Sequence, residues 1–85
     1  MEELKISSAA NLSDLEIRML DFERQWWKFA GTKDAAIKEH FEMPAKKYYE
    51  ILNSLIDRDD ALATSPLLVK RLRRLREARL ERRFN

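Results

Sequence analysis

The chain has 85 residues, 38% of them charged, with one Gly, two Pro and no Cys. That length makes one domain with a small core, and the lack of Cys excludes disulfides, thiol chemistry and thiolate metal sites. The net charge of +2 hides a segregation: residues 66–85 hold eight Lys and Arg against two Glu, while residues 1–65 hold nine against thirteen acids. A basic end on an acidic body suits a protein that meets nucleic acid.

Long-chain helix formers dominate, so the expected fold is all-α: a bundle of four to five helices containing a helix-turn-helix, with a basic C-terminal helix. Residues 1–11 show no pattern that would bury them and are expected to be a mobile N-terminal segment. They also lack a signal-peptide apolar region, and no apolar run is long enough for a membrane span. The expected location is the cytoplasm, at the nucleoid.

Ser13 and Glu16 form a capping box, and Leu12 and Ile17 stand where a hydrophobic staple closes the same helix start. This first helix is expected to run to about Phe29, stopped by Gly31. Its stripe is Leu15, Met19, Phe22, Trp26 and Phe29. Leu20 and Trp27 lie beside that stripe and are the residues expected to touch a protein partner.

Thr32 is placed to cap a second helix from Lys33 to Phe41. A turn at Glu42-Met43 follows, and Pro44 suits the start of a third helix reaching about Asp57. Tyr48, Ile51, Leu52, Leu55 and Ile56 line one face of that helix. Two short helices at a tight turn are the layout that puts a second helix in a DNA major groove. Two residues depart from the usual pattern. Lys38 stands where a small residue commonly lets the helices approach, and Glu42 takes the left-handed turn position that favours Gly. Asp59 is expected to cap a brief helix through Ala63. Ser65-Pro66 then starts the last helix, with Leu68, Leu72 and Leu75 as its apolar stripe. The next stripe position is Arg79, so packing is expected to end near Leu75. The divisions expected are 12–76 for the helix-turn-helix domain and 77–85 for a basic C-terminal extension.

Three segments, FERQWWKFAG at Phe22–Gly31, KKYYEILNSLID around Tyr48-Tyr49 and PLLVKRLRRLR at Pro66–Arg76, carry a family resemblance. Together they resemble a family of small actinobacterial proteins of unknown function. That resemblance implies a helix-turn-helix group and a cytoplasmic bacterial protein, with no activity to transfer. Members commonly show a Gly-Met-Ser-like turn where this chain has Glu42-Met43-Pro44.

In such a fold Lys46, Lys47, Tyr49, Glu50 and Asn53 face away from the core. They are the expected base-reading set, because Asn pairs with adenine, Lys donates to guanine and Glu accepts from cytosine. Lys70, Arg71, Arg73, Arg74 and Arg76 are the expected phosphate contacts, which carry no sequence information. The expected ligand is double-stranded DNA, bound by a transcription regulator or chromosome-associated factor, with a homodimer or a transcription-machinery protein as further partner. The alternative is a protein-interaction module docking on that machinery. No enzyme, cofactor or metal site is expected: there is no Gly-rich phosphate loop or nucleophile constellation, and His40 is the single His.

Overall fold

The computed structural model describes the backbone of residues 11–84 and side chains as far as Leu80. The expected mobile segment therefore lies, except for Asn11, outside the described residues. Five α-helices follow in order: α1 (Asp14–Gln25), α2 (Lys33–Phe41), α3 (Ala45–Leu55), α4 (Asp59–Thr64) and α5 (Pro66–Phe84). No strand occurs among the described residues.

The start of α1 forms as its sequence dictates. The Glu16 amide donates to Ser13 Oγ at 3.1 Å, and the Ser13 amide donates to Glu16 Oε1 at 2.8 Å. Only half of the staple packs, since Leu12 is buried and Ile17 is exposed. The far end of α1 differs from expectation. The helix stops at Gln25 and tightens into a 3-10 turn, Trp26–Lys28. Seven residues of straight α-helix would separate Phe22 and Phe29 by about 10 Å. The break brings their rings to 5.8 Å, stacked, so an aromatic contact stands in place of about one turn of helix. Phe22 also meets Phe41 and Tyr48 edge-on, at 5.4 and 5.9 Å. This cluster joins α1 to α2 and α3.

Thr32 caps α2 by accepting from the Ala35 amide at 3.2 Å. Glu42 then takes the left-handed conformation, φ 55 and ψ 41, and its amide donates to the Lys38 carbonyl at 2.9 Å. Pro44 precedes α3 in extended conformation. Lys38 is exposed and does not come between the helices; Ala36, on the other side of Ile37, is the small buried residue. Glu42 is also exposed, so its side chain does nothing to offset the strain of positive φ. Glu42→Gly is expected to stabilise the fold by about 1 kcal/mol, measured as a raised denaturant midpoint with unchanged slope.

The core is Met19, Leu20, Phe22, Ile37, Tyr48 and Leu55, closed by Ile56 and Val69. Leu20, at 2% exposure, belongs to it and offers no surface to a partner. Arg58 fastens the base of the bundle. It donates to both Asp60 oxygens at 3.0 and 2.6 Å, to Glu16 Oε2 at 2.6 Å and to the Asn11 carbonyl at 3.2 Å. Ser65 links α4 to α5; it is buried, and its hydroxyl accepts from Arg24.

Leu68 and Val69 are buried on α5, Leu72 is half-buried, and Leu75 is already 49% exposed. Packing of the leucine stripe thus ends one step earlier than expected. The backbone shows no boundary at Arg76, because α5 continues unbroken through Phe84. Among the described residues no helix is long and apolar enough to cross a membrane.

Candidate nucleic-acid interface

The buried face of α3 is Tyr48, Leu52 and Leu55. The 3.6-residue period then turns Lys46, Lys47, Glu50 and Asn53 outward, and all four are exposed. Lys46 and Lys47 lie in the first turn of α3. Tyr49, expected in the same set, is placed otherwise. It is half-buried, its ring lies edge-on to Tyr48 at 5.4 Å, and the Lys33 ammonium sits 5.4 Å from its centroid. Tyr49 is a wall between α3 and its neighbours, not part of the open ridge.

The cations of α5 divide into three uses. Arg73 Nε donates to the Ile56 carbonyl at 2.5 Å. Arg76 reaches the Asn53 carbonyl at 3.3 Å and holds Asp57 at 2.7 and 3.3 Å. Both arginines were expected on phosphates; both instead finish the C-terminal end of α3. The reason is the sequence of that end, LNSLID, which supplies no Gly to cap the orphan carbonyls. Cations there also meet the negative pole of the helix. The Arg76 hydrogen bond holds the Asp57 carboxyl below its ordinary range.

Lys70, Arg71 and Arg74 remain exposed and make no hydrogen bond or ion pair among the described residues. With Arg24 they surround Leu67, a side chain left 84% exposed. Arg71 also belongs to the third group. Together with Arg79 it borders a groove of about 510 Å³ between α3 and α5, whose α3 side carries Tyr49 and Asn53. Asn53 is therefore the point at which the exposed side of α3 meets Arg71 and Arg79 of α5.

Beside that groove lies a buried acid. Glu23 is 2% exposed. It accepts from Tyr48 Oη at 2.6 Å and from Lys33 Nζ at 2.9 Å. Burial first, and then this carboxylate, push the Tyr48 phenol well above its ordinary 10.0. Tyr49 is raised too, by burial first and then by Asp34 and Glu23, with Arg79 opposing. The clue was in the chain: Glu23 falls four after Met19 and three before Trp26, inside an apolar stripe. An acid there announces a buried partner but does not name it.

No group of three or more His, Cys, Asp or Glu side chains is placed to hold a metal among the described residues. No curated protein and no solved structure matches the chain. Residues 11–84 match the model of the family described as "Protein of unknown function (DUF3263)", and the chain belongs to that family.

Proposed function

We propose that this protein binds double-stranded DNA, as a transcription regulator or chromosome-associated factor of the nucleoid, with α3 laid in the major groove. One observation carries the reading: Asn53, a member of the exposed set Lys46, Lys47, Glu50 and Asn53 on α3, borders the same groove as Arg71 and Arg79 of α5. Asn53 is suited to adenine, Lys46 and Lys47 to guanine or phosphate, and Glu50 to cytosine. Lys70, Arg71, Arg74 and Arg79 are the phosphate contacts of this arrangement, and they fix register without reading sequence. A helix this short reads few base pairs, so a second copy or another bound protein supplies the remaining specificity.

Selection of bound sequences from a random duplex pool, followed by gel shifts on the winner, tests the assignment. Lys46→Ala, Lys47→Ala and Asn53→Ala together are expected to lower preference for the selected site over random duplex. Each lost base contact is worth about 1–3 kcal/mol of discrimination. Unchanged preference in the triple variant would remove α3 from base reading.

A further inference from the structure

The groove between α3 and α5 carries aromatic rings that duplex binding by α3 does not use. Trp27 stands at its mouth, 56% exposed, with its indole 6.4 Å from that of Trp26 at 77°. The Lys33 ammonium lies between the rings of Trp26 and Tyr49, 5.3 and 5.4 Å from their centroids. The opposite wall is Leu72 and Leu75, with Arg71 and Arg79 beside them. Among the described residues Glu23 is the one acid lining the groove, and both its oxygens are already bonded inside the fold. A visitor thus meets cations, aromatic rings and, at the edge, the amide of Asn53.

Cations that follow a backbone, interleaved with rings that accept any base face, are the means of holding unpaired nucleic acid. A paired base is closed to such stacking, so the groove's rings add nothing to a duplex. At about 510 Å³ the groove is a small-ligand site, with room for a nucleotide and not a long tract. We infer that this groove holds an unpaired DNA nucleotide, its base on the Trp27 indole and its flanking phosphates on Arg71 and Arg79. The choice of DNA rests on the reading of α3 as the duplex face, because Asn53 borders both surfaces.

The test is a titration of the full chain with a twelve-residue oligothymidylate, followed by tryptophan fluorescence. Quenching is expected at low salt. Trp27→Ala is expected to weaken binding roughly five- to hundredfold and to remove most of the quenching. Arg71→Ala with Arg79→Ala is expected to flatten the slope of log affinity against log salt by about 0.7 per lost contact. Lys46→Ala with Lys47→Ala is expected to leave oligothymidylate binding unchanged while blunting duplex preference, so the two surfaces fail separately. Circular dichroism melts of each variant confirm that the fold persists; Trp27 and Arg79 are both exposed. Absence of quenching, or quenching indifferent to both Trp27→Ala and Arg79→Ala, would overturn the inference. So would equal competition by an oligoglutamate of matched charge, which marks an acidic protein segment as the occupant. Tighter binding of oligouridylate than of oligothymidylate would overturn the choice of DNA.

Discussion

Lys33→Met is expected to lower stability by about 3 kcal/mol, read from the denaturant midpoint at neutral pH. The Glu23 side chain is 1% exposed, and Lys33 supplies the charge that balances it. Removing one partner of a buried pair costs about 3–5 kcal/mol, because the other charge stays desolvated and alone. The Lys33 side chain is 22% exposed, which puts the loss at the lower end. For a domain with about 5–15 kcal/mol in total, that is a large share. Adding Glu23→Gln is expected to restore much of it: an amide still accepts from Tyr48 and leaves no bare charge. Wild-type melting of the single variant would show that the pair is not what holds this carboxylate.

The same network sets the alkaline limit of the fold. The Tyr48 phenol keeps its proton in the folded state beyond the pH at which the unfolded chain releases it, near 10.0. Its contribution is therefore complete below about pH 10 and declines as pH rises further. Tyr48→Phe is expected to soften that decline and to cost about 2 kcal/mol at neutral pH, the loss of a hydrogen bond to a charged acceptor. Tyr49, also raised, leaves some alkaline dependence in the variant.

The second large effect separates the arginines of α5 by their work. Arg71→Ala with Arg79→Ala is expected to reduce duplex affinity at least tenfold and to flatten its log salt slope by about 0.9 per contact. The thermal midpoint is expected to stay in place. Arg73→Ala with Arg76→Ala is expected to do the reverse at first order. It uncaps the Ile56 and Asn53 carbonyls and costs about 2 kcal/mol of stability, mostly from Arg73, since the Asp57 partner of Arg76 is 59% exposed. Duplex titrations across a salt series, paired with melts, distinguish the two sets. Equal salt slopes for both pairs would undo the division.

Three helix starts were legible because capping chemistry is local; the start of α4 was not, since Arg58 stands at its N-cap and Asp59, expected there, is its first helical residue. Ser13 with Glu16, Thr32 before Lys33 and Pro66 at the head of α5 all act within a few residues of themselves. The turn at Glu42 and, Tyr49 apart, the exposed side of α3 were legible from local spacing as well. The end of α1 was not, because Phe29 stacks back on Phe22 and overrides local propensity.

Charge told the least about its own use. A run of arginines on α5 reads as one basic face, and composition alone made that end suited to an anion. Which arginine stays free depends on where α3 ends, seventeen to twenty-three residues earlier in the chain. Likewise Glu23 in an apolar stripe announced a partner, while Lys33 and Tyr48 were supplied by other helices. Period, caps and net charge are properties of neighbours in sequence, and the chain determined them by itself. The pairing of charges depends on distances of a few ångströms between remote residues, and only the packed bundle decided it.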